Sequence, residues 1–143
     1  LYFGNIDLRF HLMRQENPQQ ATADLFNRYV DFAGPLTSDE LLDYYQKSTA
    51  LVMFSHYETF SIVIAEAWAS GIPVISTPVG IAAEMSEEAG ILVKDNDPLS
   101  LAMAMEKIIN DLPFDPVTIR KEALKYTEQA FLHSISEIYY ATL

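Results

Sequence analysis

The run LVMFSHYETFSIVIAEAWASGIPVIS, residues Leu51 to Ser76, decides the fold of this chain. It begins with strand-forming residues and continues through a polar loop into an apolar stretch of helical length. A stop at Gly71 and a second strand-like segment follow. Strand, loop, helix and strand in this order predict a βαβ unit with parallel strands. Two carboxylates lie within the unit, Glu58 in the loop and Glu66 inside the helix.

The rest of the chain alternates strands and helices in the same way. We predict strands at Ile6–Met13, Tyr29–Ala33, Ala50–Phe54, Pro73–Ser76 and Gly90–Val93. We predict helices from Asn17-Pro18 to Arg28, after a capping box at Thr37, at Ile62–Ser70, near Ala82–Ser86, from Asp97-Pro98 to Ile109, and from Asp115-Pro116 to the end with a break near Thr127. This pattern predicts an α/β fold, a Rossmann-like parallel sheet with helices on both faces.

Residues 5–143 are predicted to form this one domain. The first four residues, LYFG, resemble the remnant of a protease-cleavage tag, although a native lead-in to a strand fits as well. We therefore assign residues 1–4 no functional weight.

Composition excludes several classes of function. The 143 residues include no cysteine, which removes disulfide scaffolds and thiolate metal sites and fits a reducing, cytoplasmic compartment. The net charge is −11 and the nine basic residues are scattered, so nucleic-acid binding is not expected. No apolar run is long enough for a transmembrane helix, and no signal peptide is visible. Three dispersed histidines without a tight carboxylate cluster predict no metal site.

Ligands of open α/β sheets bind beyond the carboxyl ends of the strands, where the loops Ser55–Phe60 and Thr77–Ile81 are predicted to lie. A helix beginning near Ser61 offers N–H groups to a diphosphate. Glu66 lies roughly 7 Å along that helix at 1.5 Å per residue. Glu58 and Glu66 could therefore flank the diphosphate and accept hydrogen bonds from diols on either side.

Each of these side chains also has a structural reading. Glu66 could form a salt bridge on the helix surface, although its neighbours are apolar. Glu58 could simply be a favourable charge near a helix N-terminus. His56 could touch a ligand in the loop or be an ordinary surface histidine.

The motifs resemble the C-terminal domain of family 4 glycosyltransferases with the GT-B fold. Those retaining enzymes carry Ser-x-x-Glu-Gly-Phe-Gly-x-x-x-x-Glu-Ala, and this chain has SHYETFSIVIAEA at 55–67. The order continues with SGIPV at 70–74, VGIAAE at 79–84 and GILV at 90–93. The similarity spans roughly Tyr29 to Asn110, and the combined order is highly specific.

The resemblance implies a role for each site residue. Glu58 would be the catalytic-site carboxylate on the donor sugar hydroxyls, and Glu66 would bind the nucleotide ribose. The remaining predicted donor-binding residues lie around the diphosphate, in the neighbouring loops and near the base: His56, Thr59, Phe60, Ser61, Ile62, Gly34, Leu36 and Gly80. The resemblance implies a nucleotide-diphosphate sugar as donor, with no cofactor and no metal.

The chain departs from the family in its loop glycines, which are Thr59 and Ser61 here. A side chain at these positions narrows the space for backbone approach to a ligand, or Ser61 could instead cap the helix through its side chain. The second glycine of the later family loop is replaced by Ile81.

By the same resemblance the chain is a fragment. It begins at what looks like the second strand, so it lacks the first strand-helix unit, the Arg and Lys that clamp the diphosphate, and the N-terminal acceptor domain. The full-length protein is expected to be a hexosyltransferase-type enzyme of polysaccharide biosynthesis, cytoplasmic and associated peripherally with the inner membrane face through the missing domain. This fragment alone is expected to be inactive. Two alternatives remain: a non-catalytic relative that binds nucleotide-sugar or protein, and another GT-B enzyme such as a sugar-nucleotide epimerase.

Overall fold

The computed structural model describes residues 10–12, 30–111 and 114–141. The strands are β1 (Phe10–Leu12), β2 (Val30–Phe32), β3 (Leu51–Met53), β4 (Val74–Ser76) and β5 (Gly90–Leu92). The helices are α1 (Ser38–Lys47), α2 (Ile62–Ser70), α3 (Pro98–Asp111), α4 (Pro116–Ala123) and α5 (Glu128–Ala141), with short 3₁₀ helices at Gly80–Glu84 and Leu124–Tyr126. The helix predicted up to Arg28 and the boundary after Gly4 lie outside the described residues.

All described strand pairs are parallel, as predicted. β1 pairs with β2, and β3, β4 and β5 form a second sheet in that order. Parallel strands joined by helices are the arrangement of a doubly wound Rossmann-like sheet.

Helices cover both faces of the larger sheet. Val74 and Ile75 are adjacent on β4 and both fully buried, but they belong to different apolar clusters. Val74 packs with α1, α2 and α4, whereas Ile75 packs with α3 through Ala104 and Ile108. Successive strand residues point to opposite faces, so the prediction of helices on both faces is confirmed.

The helix boundaries follow from local chemistry. Thr37 caps α1 and forms the predicted capping box, in which the Thr37 N–H donates to the Glu40 carboxylate at 2.8 Å. Gly71 ends α2 in the left-handed conformation, with φ +79°. The predicted break near Thr127 is confirmed, because α4 ends at Ala123 and α5 begins at Glu128.

One predicted element differs in type and position. The short helix expected near Ala82–Ser86 is a 3₁₀ helix that begins two residues earlier, at Gly80. Its early start is fixed by a tertiary contact, since the Ile81 N–H donates to the Phe60 carbonyl at 3.0 Å. Among the described residues, no helix is both long and apolar enough to cross a bilayer.

Candidate functional site

The loop between β3 and α2 holds Glu58 in a defined place. The Ser55 hydroxyl donates a hydrogen bond to Glu58 Oε1 at 3.1 Å. The Thr77 hydroxyl, at the end of β4, donates in turn to the Ser55 carbonyl. Thr77 is fully buried, whereas Glu58 is partly exposed. The carboxylate is therefore anchored to the carboxyl ends of two neighbouring strands and remains accessible, as the topology predicts.

Ser61 immediately precedes α2 but does not cap it. Its backbone is left-handed, with φ 72° and ψ 63°, and its side chain makes no capping hydrogen bond. Side-chain caps form from the extended region, so the alternative that Ser61 caps the helix is wrong. The hydroxyl is buried, and within the part of the chain that the structure describes it has no hydrogen-bond partner. The start of α2 therefore carries a buried polar atom without a hydrogen-bond partner among the described residues.

Gly80 explains why the two site loops come so close together. A Cβ built on Gly80 would lie 2.7 Å from the Phe60 carbonyl oxygen and 2.7 Å from Ser61 Oγ. The residue also has φ +52°, which side-chain-bearing residues rarely adopt. Gly80 thus permits backbone contact between the loop after β4 and the start of α2.

The residues around this helix start leave its backbone approachable. Thr59, Phe60 and Ile62 are exposed, and Ile62 retains 64% of its accessible surface. The Phe60 ring makes an edge contact with Tyr126, with centroids 5.8 Å apart. Tyr126 also stacks on the fully buried Trp68 at 5.8 Å. Phe60 is therefore supported from the core side. The Ile64 N–H donates to the Ser61 carbonyl at 3.0 Å, so the N–H groups of the first turn of α2 that lack an intrahelical acceptor are those before Ile64.

Glu66 lies on α2 and faces α1. Tyr45 donates its hydroxyl to Glu66 Oε2 at 3.1 Å, and the same hydroxyl lies 3.3 Å from the Val63 carbonyl oxygen. Burial and the neighbouring Glu66 charge raise the pKa of Tyr45 above its usual range. A pocket of about 250 Å³ opens beside this pair, with these lining residues: Ser38, Leu41, Leu42, Tyr45, Glu66, Ala69 and Ser70.

The other predicted site residues lie further apart. His56 is exposed and its Nδ1 contacts Asp95 in the loop after β5 at 2.5 Å. Gly34 and Leu36 lie in the turn between β2 and α1, where Gly34 adopts φ +67°. Neither they nor Glu58 line the pocket beside Glu66. The structure therefore brings Gly80 against Phe60 and Ser61, and it places Glu58 and Glu66 at separate contacts.

The sequence patterns do not identify the partners of Glu66 and His56. Tyr45 fits an apolar position of an amphipathic helix, and its partner Glu66 is 21 residues away. Asp95 is the partner of His56, and it follows a predicted strand, as Glu58 does. A polar atom on an otherwise apolar helical face was the available signal for Tyr45.

Fold and site together define a Rossmann-like α/β domain of the GT-B glycosyltransferase kind. The family model described as Glycosyl transferases group 1 matches residues 4–111. The chain belongs to this family, which confirms the resemblance carried by its motifs.

Curated relatives and solved structures agree with this assignment. The chain is 32% identical over 115 residues to D-inositol 3-phosphate glycosyltransferase of Corynebacterium diphtheriae, covering 77% of this chain and 27% of that protein. It is 34% identical over 118 residues to D-inositol 3-phosphate glycosyltransferase 1 of Catenulispora acidiphila, covering 78% and 28%.

Among solved structures, sucrose-phosphate synthase of Thermosynechococcus elongatus superposes with a TM-score of 0.73 at 26% identity, covering 92% of this chain and 38% of that one. HepE of Anabaena, crystallised in complex with UDP, gives a TM-score of 0.58 at 24% identity, covering 83% and 35%. This second likeness shows the fold alone. The chain thus spans well under half the length of these relatives.

Proposed function

We propose that this chain is the donor-binding part of a retaining glycosyltransferase that uses a nucleotide-diphosphate sugar. The observation that carries the proposal is the start of α2. It lies after the carboxyl end of β3, it packs against Gly80, and its buried Ser61 hydroxyl has no partner among the described residues.

The diphosphate would bind at this helix start. The first turn of a helix presents N–H groups and a partial positive charge, which together favour an anion. The Ser61 hydroxyl adds a further donor at the same place. These neutral donors suit a chain whose net charge of −11 offers little other attraction for a diphosphate.

Glu58 and Glu66 would hold the two ends of the donor. Glu58 is anchored by Ser55 and would accept hydrogen bonds from the sugar hydroxyls. Glu66 lies at the middle of α2 beside the pocket and would accept hydrogen bonds from the ribose. Charged acceptors of this kind contribute about 1.5–3 kcal/mol per hydrogen bond. His56, Gly34 and Leu36 would contribute around the sugar and the base.

The whole protein would then catalyse hexosyl transfer by positioning the donor and stabilising the diphosphate leaving group. Its acceptor would bind to the N-terminal domain of the whole protein, in a cytoplasmic enzyme at the inner membrane face that makes polysaccharide. We propose no metal and no cofactor, because the helix start would supply the stabilisation that a cation would otherwise give.

Two carboxylate variants in the complete polypeptide test the proposal. Glu66→Ala should weaken binding of the donor and of the free nucleoside diphosphate alike, because both carry the ribose. Glu58→Ala should weaken donor binding more than diphosphate binding, because only the donor carries the sugar. At about 1.5–3 kcal/mol each, the losses should be roughly 10- to 150-fold.

Calorimetry with the donor and with the matching diphosphate measures this division of roles. Glu106→Ala, an exposed carboxylate variant on α3, is a matched control for lost negative charge. Equal losses for both site variants with both ligands would contradict the assignment. Donor binding without transfer by the complete protein would favour the non-catalytic alternative.

A further inference from the structure

Among the described residues, Tyr45 is the one buried side chain that contacts a proposed donor-binding carboxylate. Its ring lies in the apolar cluster between α1 and α2, and only 6% of the residue is exposed. The capping box at Thr37 fixes the start of the helix that carries it. The phenol oxygen therefore has a well-defined position beside Glu66.

The hydroxyl has one proton and two nearby acceptors. Glu66 Oε2 is 3.1 Å away and the Val63 carbonyl oxygen is 3.3 Å away. A carboxylate is the stronger acceptor, so the proton is directed to Glu66. The raised pKa of Tyr45 keeps the hydroxyl protonated across the neutral range. Tyr45 is consequently a permanent donor to one carboxylate oxygen.

The other carboxylate oxygen of Glu66, Oε1, has a different environment. Within the described residues, no side chain donates to Oε1, and Glu66 lines the pocket between α1 and α2. A glutamate side chain has several rotatable bonds, and ordering them on ligand binding has an entropic cost. A hydrogen-bond donor from the protein that already holds Oε2 removes part of that entropic cost and turns the carboxylate toward one orientation.

We propose that Tyr45 is a positioning residue, which holds Glu66 Oε2 so that Oε1 accepts the hydrogen bond of the nucleotide ribose. This inference rests on the proposed function, since it assumes that Glu66 meets the ribose. The structural alternative is that the hydrogen bond between Tyr45 and Glu66 only joins α1 to α2 and contributes to stability.

The discriminating measurement is the preference for ribose over deoxyribose. UDP, GDP and ADP are titrated into the chain by ligand-observed NMR, and the tightest binder is compared with its 2′-deoxy form. We expect the wild-type chain to prefer the ribose form by roughly 10- to 150-fold, the effect of one hydrogen bond to a charged group. In Tyr45→Phe we expect this ratio to fall to within twofold of one.

Three further variants make the result specific. Tyr44→Phe removes a hydroxyl from the same helix and should leave the ratio unchanged. Glu66→Gln should itself reduce the ratio, and adding Tyr45→Phe to it should change nothing more, because Tyr45 acts through Glu66. Thermal unfolding of each variant checks that it is folded.

The outcomes distinguish the positioning role of Tyr45 from the ribose role of Glu66. A wild-type preference that persists in Tyr45→Phe would overturn the positioning role and leave the ribose role of Glu66 intact. A wild-type ratio near one would overturn the ribose role and the positioning role together. An additional loss from Tyr45→Phe in the Glu66→Gln background would show that Tyr45 acts by another route, which also overturns the proposal.

Discussion

Replacing Ser61 by glycine should make this chain more stable, even though the change removes a polar side chain next to a proposed ligand site. Ser61 has a left-handed backbone, which costs a non-glycine residue about 1–2 kcal/mol. Its buried hydroxyl has no described partner, and such a group costs about 1–3 kcal/mol. Glycine removes both costs and adds only about 0.5–1 kcal/mol of extra freedom in the unfolded chain.

The expected net gain from Ser61→Gly is therefore roughly 1–4 kcal/mol. For a domain of this size, that corresponds to a rise in melting temperature of at least about 3 °C. Urea unfolding monitored by circular dichroism measures the free energy directly. A midpoint that rises without a change in slope identifies a gain in stability rather than a change in the unfolded state.

Ser61→Ala separates the two contributions. Alanine removes the hydroxyl but keeps the left-handed strain, so its gain should come from the polar term alone and should not exceed that of glycine. A loss of stability in both variants would refute the reasoning, because it would show that the hydroxyl is satisfied in solution and that the backbone strain is negligible. Ser61→Ala should also bind nucleoside diphosphates more weakly, because it loses one proposed donor to the phosphate.

Two other predictions concern the same site. Gly80→Ala should lower the free energy of unfolding by roughly 2–4 kcal/mol, because the new Cβ would lie 2.7 Å from the Phe60 carbonyl oxygen and the residue would have to keep φ +52°. Gly34→Ala is the matched control, because Gly34 has φ +67° but nothing within 4 Å of its Cβ position. This control should lose only about 1–2 kcal/mol in urea unfolding. Equal losses of stability in Gly80→Ala and Gly34→Ala would show that the close contact of Gly80 with Phe60 has no steric cost. This chain alone should bind nucleoside diphosphates with a dissociation constant in roughly the high micromolar to millimolar range, because an exposed helix dipole attracts an anion only weakly. Binding should be weaker still at low salt, because the −11 net charge is then less screened. Sub-micromolar binding in calorimetry, or sugar transfer by this chain alone, would show that the basic clamp and the acceptor domain are not needed.

The βαβ unit could be predicted because its signals are local. The helix from Ile62 to Ser70 was correctly bounded by a loop on one side and Gly71 on the other. The capping box at Thr37 was equally visible, since both of its partners lie within four residues. The strand positions follow from apolar runs between turn and helix-capping residues, and the parallel order of the strands follows from the intervening helices.

The contacts that place the site side chains could not be predicted in the same way. Tyr45 and Glu66 are 21 residues apart, and His56 and Asp95 are 39 apart. Each pair forms only because two loops or two helices lie side by side in the folded sheet. A pattern along the chain reports which face of a helix is apolar, but it does not report which polar atom meets which across the interface.

Ser61 shows how tertiary contact overrides a local preference at the centre of the site. Serine before a helix usually caps it from an extended backbone, and the sequence alone allows that outcome. Here the Phe60 carbonyl accepts a hydrogen bond from Ile81, which ties the preceding residue to the neighbouring loop. Gly80 packs directly against Phe60 and Ser61, so the chain enters α2 through a left-handed residue. The side chain then makes no hydrogen bond to the N–H groups of the first turn, which are the groups that the proposed function assigns to the diphosphate. The same contact that strains Ser61 therefore preserves the feature on which the proposed diphosphate binding depends.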